Sequence, residues 1–349
     1  MSSADTQNRL RLLIIGPLPP HFGGAAQAMG TLIDGLATQP GVEVRLIDTV
    51  RTGGPAGQAK RVMGVISGCL RMMRHVDVVA CHFSDPMVGG LAYYLTRLGR
   101  RPLLVARFGG VQPLRYWTGP TRRVEKLLLE SAELNLLETQ YQIDSIKDIR
   151  VPRLRQYPNN RPWGEGPDRP WRTGPCQRFI FLGHVNPDKG IRELIDAAER
   201  LPEGVSVDVY GELRDGIEAK DFANRKRIQH RGILPHGQIP AALREYDALV
   251  MPTHYEREGH PGAVIEAFQA GLPVVATRFM AIPEIVDDSN GLLVPPYDAT
   301  ALSDAMSLLA GDVELYRRLH EGALRRGREL STEVWVPRYV EFCREIVQR

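Results

Sequence analysis

The chain has 349 residues, 43% of them apolar and 24% charged, with a net charge of +3. That length suits two domains of ordinary size, and the composition is that of a soluble globular protein. No apolar run reaches membrane-spanning length, no signal-peptide pattern precedes the first strand, and Cys69, Cys81, Cys176 and Cys343 are scattered without metal-ligand spacing, as free thiols of a reducing cytoplasm would be.

The small net charge hides an asymmetry. Residues 1–165 hold 21 Lys+Arg against 13 Asp+Glu, a balance of +8, whereas residues 166–349 hold 23 against 28, a balance of −5. A basic front half fits an anionic partner such as an acidic membrane surface, a lipid pyrophosphate or a phosphorylated acceptor, and it equally fits a solvated basic face. Nucleic acid is not expected as a partner.

Taken in chain order, Arg11-Leu-Leu-Ile-Ile15 is a short apolar run ending in Gly16-Pro17, the pattern of a buried parallel strand. After Pro19-Pro-His-Phe-Gly-Gly24, Met29, Leu32, Ile33 and Leu36 fall at helical spacing, and residues 42–47 return as a strand. This strand–loop–helix–strand unit is the building block of a parallel α/β sheet. Residues 77–81 and 102–106 read as further strands and residues 122–138 as a helix. Residues 60–74 form a helix candidate with cations at its ends; it fits a domain helix with snorkelling arginines better than one lying on a membrane surface.

Residues 157–177 are dense in Pro and Gly and can hold neither a helix nor a central strand, so the interdomain linker falls there. A second α/β series follows, with strands at 179–182, 205–210, 248–251 and 273–276 and helices at 190–200 and 262–270. Residues 333–349 form a last amphipathic helix with an apolar stripe of Trp335, Tyr339, Cys343 and Ile346. The expected architecture is α/β, two Rossmann-like domains facing across a cleft, with ligands near the C-terminal ends of the strands. The expected division is 1–160 for the front domain, 161–176 for the linker, 177–332 for the rear domain and 333–349 for the terminal helix.

The motif richest in chemistry is Glu258-Gly-His-Pro-Gly-Ala-Val-Ile-Glu266. Its first glutamate precedes the helix and its second lies on it, so both can face one ligand at the helix N-terminus. That end carries free N–H groups and a partial positive charge suited to phosphate, while carboxylates accept hydrogen bonds from sugar hydroxyls. In Phe181-Leu-Gly-His-Val-Asn-Pro-Asp-Lys-Gly190, Gly183 permits close backbone approach and Lys189 puts a cation near a helix start; the turn suits a pyrophosphate, or is an ordinary strand-to-helix turn. Gly23-Gly24 opens the first helix and either admits a phosphate to the backbone or makes a tight turn. His21, His82, His184, His254 and His260 all fall in or beside loops at strand ends, where a histidine can carry a proton or bind a hydroxyl. No metal-binding spacing is present, and no Gly-x-Gly-x-x-Gly follows the first strand, which disfavours a Rossmann dehydrogenase.

These pieces in this order resemble the retaining glycosyltransferases of family 4, of GT-B architecture, along nearly the whole chain. The likeness is carried by the Glu-x7-Glu element at Glu258 to Glu266 and by Ile282-Pro-Glu-Ile-Val286, Asn290-Gly-Leu-Leu-Val-Pro295, Lys189-Gly190, His230-Arg-Gly-Ile-Leu234 and Gly23-Gly24. The resemblance implies that Glu266 binds the ribose hydroxyls of a nucleotide-diphosphate sugar and that Glu258 faces the donor sugar. It assigns the backbone of Gly259, His260, Pro261 and Gly262 to the sugar or phosphate, Lys189 to the leaving pyrophosphate, with Gly183 and His184 beside it, and the neighbourhoods of Gly211 and Ile233 to the base. It implies an acceptor-binding front domain, with His21, His82 and Arg107 as acceptor contacts, and a terminal helix crossing back to that domain. It also implies retention of anomeric configuration, no metal, and no cofactor beyond the donor substrate.

The chain departs from the family at three places. It has Gly183-His184 where many relatives have Gly-Arg, Ala106-Arg-Phe-Gly-Gly110 where relatives often carry His-Gly after a strand, and Met280-Ala281-Ile282 where a Gly-Gly is common. Arg107 is the candidate replacement for the missing histidine, although arginine is a poor proton carrier. The expected function is transfer of a sugar to an acceptor hydroxyl in surface polysaccharide or glycolipid assembly, in the cytoplasm, with peripheral contact at the inner face of the membrane as an extension. The alternatives are a nucleotide-sugar epimerase of the same architecture and a non-catalytic sugar-nucleotide-binding partner.

Overall fold

The structure, a computed structural model, describes residues 9–18, 24–49, 54–82, 86–107, 113–115, 118–164 and 174–348. The chain divides into two compact units: Met1–Pro162 with Thr332–Arg349, and Trp163–Ser331.

The front unit is built on a parallel sheet of β1 (Leu10–Gly16), β2 (Val42–Asp48), β3 (Val78–His82), β4 (Leu103–Arg107), β5 (Leu134–Leu137) and β6 (Leu154–Gln156), in the order β2-β1-β3-β4-β5-β6. Alternation along β1 sends Leu12 and Ile14 to one face and Leu13 and Ile15 to the other, so both faces need a helical cover. The first face is covered by α1 (Gly24–Ala37), the second by α2 (Gly54–Met72), α3 (Pro86–Gly99) and α4 (Gly119–Ser131). A short α5 (Gln140–Asp144) follows β5 and is closed by a capping box, in which Thr139 Oγ1 accepts from Gln142 N. Val65 and Cys69 bury one side of the second half of α2 against the sheet.

Residues 122–138, read from the sequence as one helix, are two elements. The helix stops at Ser131 and Leu134–Leu137 form a fully buried strand. Leu128, Leu129, Ala132 and Leu136 prolong the helical spacing across the break, so periodicity alone conceals it.

The last helix, α11 (Thr332–Val347), lies in the front unit, where Val336, Tyr339, Val340, Cys343 and Ile346 join the α1-covered core. His82 Nε2 and the Tyr339 hydroxyl share a buried hydrogen bond of 2.8 Å, and the Tyr157 ring meets the Tyr339 and Trp335 rings edge-on. Burial pushes the His82 imidazole down to about 3 from its ordinary value. Between those two values the unfolded chain binds a proton that the folded chain refuses, so the stabilisation is whole above the ordinary histidine value and is lost as the pH falls below it. Urea unfolding at pH 7 and pH 5 is expected to cost the wild type about 2 kcal/mol more than it costs His82→Gln. Equal losses in the two proteins would mean that His82 already titrates normally.

The rear unit repeats the plan with β7 (Arg178–Leu182), β8 (Ser206–Tyr210), β9 (Ile228–His230), β10 (Ala248–Met251), β11 (Val274–Thr277) and β12 (Gly291–Val294), all parallel in the order β12-β11-β10-β7-β8-β9. Phe179, Phe181 and Val207 face α6 (Ile191–Ala198) and α9 (Ala299–Gly311). Ile180, Leu249 and Val274 face α7 (Ile239–Leu243), α8 (Gly262–Gln269) and α10 (Val313–Glu329). From β7 the chain winds outward through β8 and β9, and from β10 it winds the other way through β11 and β12. The winding therefore reverses between β7 and β10, the place at the C-terminal edge where sheets of this kind bind their ligands.

Candidate functional site

The loops that leave β7 and β10 carry the two residues the sequence singled out for chemistry. After β7 the chain turns at Gly183 (φ +152), and Asn186 caps a short 3-10 turn, its Oδ1 accepting from Lys189 N at 3.1 Å. Gly190 (φ +72) then starts α6; a Cβ there would lie 2.0 Å from Pro252 O, so glycine lets the Lys189 turn close on the β10 loop. His254 N donates to Asp188 O at 2.9 Å and ties the same two loops together again.

The result is an ion pair between Lys189 Nζ and Glu258 Oε2, with side chains only 15% and 10% exposed. Thr253 Oγ1 donates to the same Oε2 at 3.0 Å and accepts from Tyr255 N at 3.2 Å. The Tyr255 ring centroid lies 5.0 Å from the ammonium. A lysine this constrained presents its charge in one place, as a preorganised electrostatic site requires.

Beside this pair, Pro261 leads into α8, whose first-turn N–H groups at Gly262 and Ala263 have no acceptor within the helix. Glu266 stands one turn further on and is half-buried. Its distance of four positions from Gly262 puts both on one side of the helix. His260 is buried, and its Nε2 donates to Glu284 Oε2 at 3.3 Å. Glu284 is itself held from α10, where Arg326 donates to its carbonyl at 2.7 Å. The His260 ring thus positions the turn before α8, whose residues 258–261 are all buried. Close packing holds α8 from behind: a Cβ on Gly327 of α10 would meet Gln269 N at 2.7 Å.

Further along the same sheet edge, β7, β8 and β9 run out at Gly183, Gly211 and Gly232. Gly183 N donates to Tyr210 O, Gly211 N to Gly232 O, and His230 Nε2 to Gly211 O at 2.8 Å. Nearby Ile233 is 70% exposed, an apolar rim beside bare backbone. His184 is exposed, and its imidazole is pushed below its ordinary value by partial burial first, and then by the cations Arg214 and Lys189. Arg214 was missed by the sequence reading. Its N donates to Val185 O, Leu213 pairs with Val185, and its guanidinium is braced by Glu212. The available signal was its place three residues past the glycine that ends β8. Thr253 was missed too, although it stands at the end of β10.

Of the front-unit residues, His21 and Gly23 lie outside the described residues. Gly24 is the first residue of α1. Arg107 ends β4. His82 ends β3, but its ring is 2% exposed and engaged by Tyr339, so packing rather than an open acceptor contact is its observed place. Among the described residues no group of three or more His, Cys, Asp or Glu is placed to hold a metal ion, and no helix is long and apolar enough to cross a membrane.

Comparisons with known proteins fit this geometry. Residues 176–312 match the family model described as "Glycosyl transferases group 1". The glycogen synthase of Mycobacterium tuberculosis is 27% identical over 266 residues, a stretch covering 73% of this chain and 62% of that protein. Among solved structures, a sucrose-phosphate synthase from Thermosynechococcus elongatus superposes with a TM-score of 0.79 at 16% identity, over 97% of this chain and 99% of that one. Anabaena HepE, solved in complex with UDP, superposes with a TM-score of 0.77 at 15% identity, over 96% and 100% of the two chains. The chain therefore has the two-sheet α/β fold of the GT-B glycosyltransferases, and over residues 176–312 it is similar to a group 1 glycosyl transferase domain.

Proposed function

We propose that this chain is a retaining glycosyltransferase, moving a sugar from a nucleotide-diphosphate donor to an acceptor hydroxyl without a metal. The observation that carries the reading is the Lys189 ammonium, paired with Glu258, whose carboxylate Thr253 also holds, where the sheet reverses its winding, beside the N-terminus of α8. Breaking a sugar–phosphate bond leaves positive character on the sugar and extra negative charge on the diphosphate. Lys189, Arg214 and the free N–H groups of α8 are fixed positive groups for the second charge, and Glu258 is a fixed negative group for the first. Glu266 accepts from the ribose hydroxyls, and the bare backbone at Gly211 with the rim at Ile233 receives the base. HepE's complex with UDP supports a nucleotide donor, and the family match over residues 176–312 supports placing its site in this unit. The acceptor in this reading is a growing surface glycan or a lipid-linked sugar, met from the cytoplasm at the inner face of the membrane.

The test is turnover with a panel of nucleotide-diphosphate sugars and hydroxyl acceptors, with and without a chelator. Release of nucleoside diphosphate with a new glycoside of the donor's own anomeric configuration is the expected result. An isomerised donor would make the chain an epimerase instead, and saturable donor binding with no product would make it a binding partner. Glu266→Ala is expected to weaken donor binding by about 10–150-fold, the range for losing hydrogen bonds to a charged acceptor. Calorimetric titration giving equal donor affinity for the variant and wild type would remove Glu266 from the site.

A further inference from the structure

The outer side of α2, α3 and α4 is unlike the rest of the molecule. Met63, Leu70, Tyr94 and Leu98 are between 62% and 72% exposed, and Leu127 is 45% exposed. They stand on the three helices whose opposite sides bury Val65, Cys69, Ala92, Leu95 and Leu128 against the sheet. The helices form one continuous layer. Arg101 donates to Met73 O and Arg74 O at the end of α2, both at 3.3 Å, and Arg97 donates to Ser131 O at the end of α4 at 3.1 Å. The C-terminal ends of the three helices therefore lie side by side, bringing Leu70, Leu98 and Leu127 to one region.

The charge of this layer is predominantly positive. Residues 49–124 contain 12 Lys+Arg and only two acidic residues, Asp77 and Asp85. Asp77 is already bound by Arg11. Glu125, the next carboxylate along the chain, is buried and accepts from Leu114 N at 2.9 Å, and Glu130 and Glu133 are paired with Lys126 and Arg97. Arg71, Arg74 and Arg100 are exposed and enter no ion pair among the described residues. Leucines and methionine alternating with unpaired arginines have a physical counterpart in the headgroup layer of an anionic bilayer, where apolar side chains dip below the phosphates and arginines remain among them. A nucleic acid would use the arginines but leave Leu70 and Leu98 in water.

We propose that the outer side of α2–α3–α4 is a docking surface for an anionic lipid bilayer. This names the surface for the membrane contact proposed above and rests on that part of the reading alone, since the donor site belongs to the other unit. Attraction by Arg71, Arg74 and Arg100 brings the layer to the bilayer, and Leu70 and Leu98 retain it there.

The experiment is co-sedimentation of the full chain with neutral phosphatidylcholine vesicles and with vesicles containing phosphatidylglycerol, at low and high salt. Binding is expected to the anionic vesicles only and to weaken with salt. Arg71→Ser, Arg74→Ser and Arg100→Ser combined are expected to lower the partition coefficient about 100-fold, or about fivefold per cation. Leu70→Ser with Leu98→Ser is expected to lower it about tenfold per residue, with little effect on thermal stability because both side chains are exposed. Equal binding to neutral and anionic vesicles, or no binding to either, would overturn the proposal. So would self-association abolished by the leucine changes without any vesicle binding, which would give the surface to a second copy. UDP titration of the same variants, expected to be unchanged, reports on the donor site separately.

Discussion

Replacing Lys189 by alanine is expected to lower kcat by about 10²–10³-fold, the usual cost of removing one preorganised donor from a developing negative charge. The same change has a structural cost that must be separated from the chemical one. Glu258 is 8% exposed and would lose its cation while keeping, among the described residues, the Thr253 hydroxyl. Breaking a buried ion pair from one side costs about 3–5 kcal/mol, chiefly through the charge left behind. Lys189→Ala combined with Glu258→Gln removes that charge, so urea unfolding should show the double variant to be more stable than Lys189→Ala, while its turnover stays low. Glu258→Gln alone is expected to spare donor binding more than turnover. Near-normal turnover in a folded Lys189→Ala protein would take the lysine out of the chemistry.

Gly211→Ala is expected to be among the most damaging single methyl additions in the rear unit. Its Cβ would lie 1.7 Å from Gly183 O, a backbone atom with no freedom to swing aside, and the residue has φ +149. Two glycine strand ends would have to part, disturbing the hydrogen bonds to Gly232 O and from His230. The expected loss is about 4 kcal/mol or more, in the class of overpacked and strained backbone sites. Gly216→Ala is the control. That glycine also has a positive φ (+82), but no atom lies within 4 Å of the added Cβ, so only the left-handed penalty of about 1–2 kcal/mol applies. Urea unfolding of the two variants thus separates close approach from backbone strain, and equal losses would mean that the strand ends part easily.

Eight of the twelve described strands were legible because each is a compact apolar run, and β1, β7, β8 and β10 also end at glycine or proline. The motif at 258–266 was legible because its Gly and Pro residues mark a turn into a helix. What periodicity blurred was the junction at 131–134, where a helix stripe runs on into a buried strand. The three-residue strands at 154–156 and 228–230 leave too little pattern to read. Within the candidate site, the sequence could nominate Lys189 and Glu258 but not their contact, which spans 69 positions. Arg214 reaches the same region from the neighbouring strand end, and only the pairing of Leu213 with Val185 reveals it. The burial of His82 and His260 was equally invisible, because Tyr339 and Glu284 are remote along the chain.

The place of α11 has a consequence for synthesis on the ribosome. Residues 163–331 are contiguous, so that unit has all of its sheet and helices once Ser331 has emerged. The unit begun first must wait longer, because Tyr339, Cys343 and Ile346 belong to its core. The usual vectorial order, in which the earlier-made domain matures first, is thereby inverted, and a nascent chain stalled after residue 331 would expose the unfilled α1 side of the front sheet to chaperones.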